Sequence, residues 1–427
     1  MDCEKFSLIT ALTSFFQYAT MIKNLSNAKE RHMQAYITPN DTIRQSDAES
    51  ILAAIFLAKE TGTNCVRIPR RNERTGENLW VIESAISLPS DMEVIIDDAH
   101  LILAEGSYTN MFTVGSPEKN TARDEICNVT LRGEGNAILD GGVYNGLSEK
   151  NSCQDGHPHI VKNTTLLFFN CSNLRVENLS LINQRWWAIT NIFVHHAVYR
   201  NIHFEADFSR IDENGAHHPD QYPTKYKEVY IKNADGIDLR VGCHDILIEN
   251  VSGFTEDDSV ALTALGKFEQ NLGYFIEDGD TDIHDVRIQN VATESFCANV
   301  RLLNDNGFKL YNVTVDGVHG IKSPRTFQNN SAVRIGDMIY AQSHSTLGDT
   351  HHITVRNVIS ESKVAVSLCK GLVDSIIENV TVLNGAFGVA AFKDYEATLL
   401  RCEIRNILTP TESAVAFCPD RITFVEE

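Results

Sequence analysis

From Cys171 onward, short runs alternate apolar and polar residues and close on Asn followed by Leu or a β-branched residue. They read Leu174-Arg175-Val176-Glu177-Asn178, Ile246-Leu247-Ile248-Glu249-Asn250, Val286-Arg287-Ile288-Gln289-Asn290, Ile353-Thr354-Val355-Arg356-Asn357 and Ser375-Ile376-Ile377-Glu378-Asn379. A period of two predicts strands with one buried face. Asn178, Asn201, Asn250, Asn290, Asn312, Asn357 and Asn379 are separated by 23, 49, 40, 22, 45 and 22 residues, one or two turns of a unit near 22 with insertions. A further step of 23 lands on Cys402, and a backward step of 45 lands on Gly133. Strands recurring at this period predict a parallel β-helix, whose coils stack about 4.8 Å apart with like positions in ladders. A leucine-rich repeat would need several Leu and a helical segment per unit, and these units are Val/Ile-rich strands.

An Asn at each bend is expected to point inward and to hydrogen-bond the Asn of the next coil. Asn178-Leu179-Ser180, Asn250-Val251-Ser252, Asn312-Val313-Thr314 and Asn379-Val380-Thr381 match the glycosylation sequon, but they are the repeat itself. The apolar end of a solenoid must be capped. Ser46-Asp47-Ala48-Glu49 has the S-x-x-E form of a capping box. It predicts a helix over 46–62 with Ala48, Ile51, Leu52, Ile55 and Phe56 on one face, a lid over a first coil that begins near Val66. Residues 1–45 are left unassigned, and 46–427 are expected to form one β-helix domain.

Composition narrows the partners. The chain has 57 acidic against 37 basic residues, a net charge of −20, which argues for a soluble protein and against nucleic acid as a partner. No run of about 18 apolar residues is present, so no membrane span is expected. Met1 to Lys5 is acidic, and Phe6 to Met21 is interrupted by Thr, Ser and Gln, so a cytoplasmic location is expected. The ten cysteines include no CxxC pair and are read as buried thiols, with no metal.

One acidic constellation stands out. Asn233-Ala234-Asp235-Gly236-Ile237-Asp238 and Glu256-Asp257-Asp258-Ser259-Val260 fall in successive units, and aligning Ile237 with Val260 sets Asp235 against Asp258. Carboxylates crowded into one outer groove push each other's pKa apart, so that one holds a proton while another stays ionised. Glycoside hydrolysis needs that division of labour: an acid for the leaving oxygen and a base for water. Acidic residues that merely solvate a turn, or bind calcium, are the plainer alternative.

These two phrases resemble the NTDGID and GDD signatures of glycoside hydrolase family 28, the polygalacturonase-like enzymes. Gly133-Glu134-Gly135-Asn136-Ala137-Ile138-Leu139-Asp140-Gly141-Gly142 is similar to the family's GxGxIDGxG, and Trp186-Trp187 to its Trp before the central strands. The resemblance covers roughly residues 60 to 400. It implies a right-handed parallel β-helix of the pectin-lyase-like kind and inverting, single-displacement hydrolysis of pectic or related plant-type oligosaccharides. No metal or organic cofactor is implied.

It further implies Asp257 as general acid, Asp235 and Asp258 as the groups that orient and deprotonate water, and Asn233 as their hydrogen-bonding support. Arg334 matches the Arg of the substrate-binding RIK phrase, whose Lys is replaced by Gly336. Ala298 stands where the GHG phrase has His. With only Arg334 retained and Arg301 nearby, polygalacturonate is the weaker expectation and a neutral sugar or short oligosaccharide is open; the net charge of −20, which repels a polyanion, points the same way. Weaker candidates for sugar contact are Asp238, His218 (beside His217, with Asp220), Trp187 and Tyr340. Two other readings remain: a β-helix polysaccharide lyase or epimerase, and a non-catalytic carbohydrate-binding solenoid. The sequence leaves the oligomeric state open.

Overall fold

The computed structural model describes residues 35–107, 109–115, 124–142, 164–184, 186–207, 209–212, 216–218, 220–221, 234–266, 276, 279–322, 325, 331–336, 344–410 and 414–425. The chain winds as a right-handed parallel β-helix, the hand that parallel crossovers take. Each coil lays its strands beside the equivalent strands of the next. One column runs through the residue pairs Val129↔Leu174, Leu174↔Ala197, Ala197↔Ile246, Ile246↔Val286, Val286↔Val313 and Val313↔Ile353. The inward members of these columns, mostly Val, Ile and Leu, fuse into one continuous apolar core.

The bends explain the recurring Asn, but not as expected. Asn178, Asn201, Asn250, Asn290, Asn357, Asn379 and Asn406 all take left-handed backbone with φ near +55°, and their side chains are exposed. Asn tolerates that conformation because its short polar side chain bonds locally. The left-handed bend sends the side chain outward, so the ladder runs along the outside of the coil. Asn201 Nδ2 donates to Asn178 Oδ1 at 2.7 Å, Asn250 to Asn201 at 2.9 Å, and Asn290 to Asn250 at 3.1 Å. The sequon asparagines are therefore outward-facing too.

Asn312 does not belong to this ladder. Gln289 pairs with Asp316 and Val291 with Val318, so the partner of Asn290 is Gly317, whose φ of +79° fills the same bend. Asn312 sits instead at a second bend, after Asp285, to which it donates at 3.3 Å. The step to Cys402 fails for a similar reason, because Asn379 is met by Asn406 at 3.2 Å. The backward step holds: Arg132 pairs with Glu177, which places Gly133 opposite Asn178.

The N-terminal end is covered by the helix Asp47–Thr61, with Ser46 Oγ accepting the Glu49 N–H at 3.2 Å and Gly62 closing it at φ +71°. Ala48, Ile51 and Ile55 are buried against the core, whereas Phe56, expected on the same face, is 56% exposed. Phe56 follows Ile55 by 100° of helix rotation, enough to carry it off the buried stripe. Buried Asp47 pins the helix by accepting from Arg74 Nε at 2.7 Å, Asn72 Nδ2 at 2.8 Å and the Val81 N–H at 2.7 Å. At the other end Leu408 and Phe424 remain 63% and 53% exposed.

None of the described cysteines forms a disulfide. Cys65, Cys171, Cys243 and Cys369 are buried and Cys127, Cys297, Cys402 and Cys418 partly so. No described helix is long and apolar enough to cross a membrane.

Candidate active site

Four neighbouring strands build the site: Asp235–Leu239, Val260–Ala264, Ala298–Asn304 and Ser331–Ile335. Ile237 pairs with Val260, Val260 with Val300, and Val300 with Val333. The register inferred from the two acidic phrases is the observed one. The Asp258 N–H donates to Asp235 Oδ1 at 2.9 Å, one coil away, and the Gly236 N–H to the Asp258 carbonyl at 2.9 Å. A Cβ at Gly236 would meet the Ser259 carbonyl oxygen at 2.2 Å, so only glycine lets the two turns approach this closely.

A buried hydroxyl network fixes the turn that carries Asp257. Its carbonyl oxygen accepts from Thr255 Oγ1 at 3.0 Å and Ser295 Oγ at 2.7 Å. Glu256, the first acid of the phrase, points away: its Oε2 accepts the Ala234 N–H at 2.8 Å, a structural tie between coils.

Arginines from the same and following coils interleave with the carboxylates. Arg301 Nη1 bonds Asp258 Oδ2 at 3.1 Å, and Arg240 Nη2 bonds Asp238 Oδ1 at 2.8 Å. The Arg240 guanidinium lies 3.4 Å above the Trp187 ring. Arg334, the register partner of Arg301, stacks 4.1 Å over Phe392 and reaches the Cys297 carbonyl at 3.5 Å.

The site is not the open trough that outer-face carboxylates would form. Asp235 is 5% and Asp258 2% exposed, while Asp257 is half-buried. Burial, followed by the charge of Asp258, pushes Asp257 up to about 7, against the thiol of Cys297 and the charges of Arg301 and Arg334. Burial also lifts Asp238 to about 7, with Arg240 opposing. Asp235 is raised well above the usual carboxylate range by burial and then by the charges of Asp238, Asp257 and Asp258. Four carboxyl groups face the three guanidiniums of Arg240, Arg301 and Arg334, an excess of acid that favours retention of a proton within the cluster.

Other expectations are corrected or fall outside the described residues. Asp238 is fully buried in its pair with Arg240 and cannot touch substrate. Trp187 is buried beneath Arg240 and offers no face to a sugar; Trp186 is buried as well. His218 lies on a small hairpin, paired with Asp212 at 3.0 Å. Asn233 and Tyr340 lie outside the described residues. Arg301 and Arg334 do join the cluster, although Arg334 is almost wholly covered.

Ala298 sits opposite Asp258 as the alignment required, so the expected His is absent there. Gly336 has φ +107°, and a Cβ there would meet the Cys369 carbonyl oxygen at 1.8 Å, which explains why no Lys occupies it. Sequence reasoning missed Arg240 and Cys297. Arg240 follows Asp238 by two residues and so shares its strand face; Cys297 falls in register with Asp257. Asp257, Asp258 and Cys297 offer three donor atoms within 4.8 Å of one another, but Arg301 already supplies a cation to Asp258. A groove of about 500 Å³ beside the cap helix, lined by Leu52, Phe56, Leu88 and Phe169 among others, shares no residue with the cluster.

The sequence matches no family model and no curated protein. Its fold has solved counterparts. The polygalacturonase of Erwinia carotovora ssp. carotovora aligns over 93% of this chain and 100% of its own, at 16% identity and TM-score 0.54. The exopolygalacturonase of Thermotoga maritima aligns over 91% of both chains, at 14% identity and TM-score 0.50. The A-module of the mannuronan C-5 epimerase AlgE6 of Azotobacter vinelandii aligns over 91% and 98%, at 12% identity and TM-score 0.53. These likenesses establish the fold. Because hydrolases and an epimerase share it, the chemistry must be argued from the side chains.

Proposed function

We propose that the protein is a glycoside hydrolase of the polygalacturonase-like type, acting on a pectic or related plant-type oligosaccharide. The observation that carries this reading is the meeting of Asp235, Asp257 and Asp258 across one coil step, with Asp257 pushed up to about 7 and more exposed than its partners. An acid poised near neutrality is what protonation of a leaving glycosidic oxygen requires. Asp257 serves as that acid. Asp258, ion-paired to Arg301, takes the proton of the attacking water while Asp257 gives its own to the leaving oxygen, and Asp235, which accepts the Asp258 N–H, orients the water beside it. Arg301 and Arg334 place positive charge among the carboxyl groups, which suits an acidic sugar despite the chain's net charge of −20.

Inversion follows from the resemblance to family 28. Carboxyl groups of Asp257 and Asp258 approach within 4.8 Å, closer than the about 6.5–9.5 Å usual for inverting pairs and nearer the about 5–5.5 Å of retaining ones. The anomer released distinguishes single from double displacement.

The burial of Asp235 and Asp258 favours a second reading, a saccharide-binding solenoid whose carboxylates are structural. A panel of pectic and neutral oligosaccharides separates the readings. The hydrolase releases reducing ends, a lyase releases products that absorb in the ultraviolet, and a binding solenoid titrates with sugar and releases nothing.

A further inference from the structure

Beside the half-buried Asp257 lies the half-buried thiol of Cys297. The pairing of Val260 with Val300 places Cys297 on the next coil, in register with Asp257. Its Sγ and one carboxylate oxygen from each of Asp257 and Asp258 lie within 4.8 Å of one another. The two backbones hang from one buried hydroxyl: Ser295 Oγ accepts the Cys297 N–H at 3.1 Å and donates to the Asp257 carbonyl at 2.7 Å. Arg334 holds the Cys297 carbonyl from the far side.

We propose that Cys297 is the positioning residue of Asp257: its S–H donates to one carboxyl oxygen and leaves the other to carry the proton. Its consequence for turnover rests on the hydrolase reading; its effect on the Asp257 proton does not. Burial and the charges of Asp257 and Asp258 hold the thiol well above its ordinary pKa, so it remains a donor at neutral pH and adds no further anion. Donation to the ionised carboxylate favours that form, so the thiol tempers the rise that burial imposes on Asp257.

The test is a carbon-13 titration of the Asp257 carboxyl in the wild type, Cys297→Ala and Cys297→Ser, with the pH profile of turnover recorded in parallel. In Cys297→Ala the Asp257 titration moves up by about half a pH unit or more, and the alkaline limb of the profile moves with it. Cys297→Ser, which keeps a stronger donor, titrates at or below the wild type. An unmoved Asp257 in Cys297→Ala overturns the proposal, as does an equal upward shift in both variants. If Cys297→Ala does not fold, an upward shift in Cys297→Ser alone overturns it, and a shift downward or none supports retention of the donor. Absence of turnover on every sugar defeats the hydrolase reading and leaves the titration to decide the role of Cys297.

Discussion

The outer Asn ladder and the Asp cluster are built by the same device, a polar side chain repeated in coil register, and they differ in what the repeat does. Each Asn is at once donor and acceptor, so Asn178, Asn201, Asn250 and Asn290 satisfy one another in sequence and leave nothing unpaired between them. A carboxylate only accepts. Stacking Asp235 on Asp258 brings together groups that repel, buried where water cannot relieve them, and Arg240 and Arg301 compensate only in part. The ladder stabilises the solenoid. The cluster stores an unsatisfied proton demand, and that demand is the basis of the proposed chemistry.

The comparison can be broken first at Asp257. Asp257→Asn is expected to lower turnover by about 10²–10⁴-fold, the usual contribution of a general acid, while the thermal transition stays level or rises because a crowded buried charge is gone. Reducing-end release and a melting curve check the two halves. Next, Arg240→Met strands Asp238 without its partner and is expected to cost about 3–5 kcal/mol above pH 7, read from denaturant unfolding. Asp238→Asn in the same chain should recover much of that loss.

Acidity sharpens the contrast. Asp238 and Asp257 are raised to about 7 from an unfolded value of about 3.9, so folding favours their protonated forms. Their contribution is complete below about pH 4 and is lost as pH rises through about 7. His195 and His351, lowered mainly by burial, act oppositely: their contribution is present above about pH 6.5 and is lost as pH falls through their folded values. Unfolding free energies measured across this range in Asp238→Asn should show a smaller loss of stability between pH 4 and 7 than the wild type. The smallest effect belongs to the ladder. Asn250→Ala is expected to cost about 1–2 kcal/mol for left-handed backbone with a Cβ, and Asn250→Gly clearly less, since only the side-chain bonds go.

What the sequence disclosed follows the same division. Strand alternation and the Asp235–Asp258 register were legible because both are fixed by a period of two within strands and by one coil step between them. The direction of the Asn side chains was not, because an alternation rule holds within a strand and fails at a left-handed bend. Asn312 was misplaced because Gly317 fills the bend without an Asn to mark it. The burial of the carboxylates, the covering of Trp187 by Arg240 and the approach of Cys297 arise between coils, where no local pattern records which side chain covers which.

The most direct measurement is a carbon-13 titration of the aspartate carboxyls in the unmodified protein. Asp257 is expected to keep its proton to near pH 7, and Asp235 to titrate well above the ordinary carboxylate range. Ordinary titration of Asp235 and Asp257 near pH 4 would contradict this expectation.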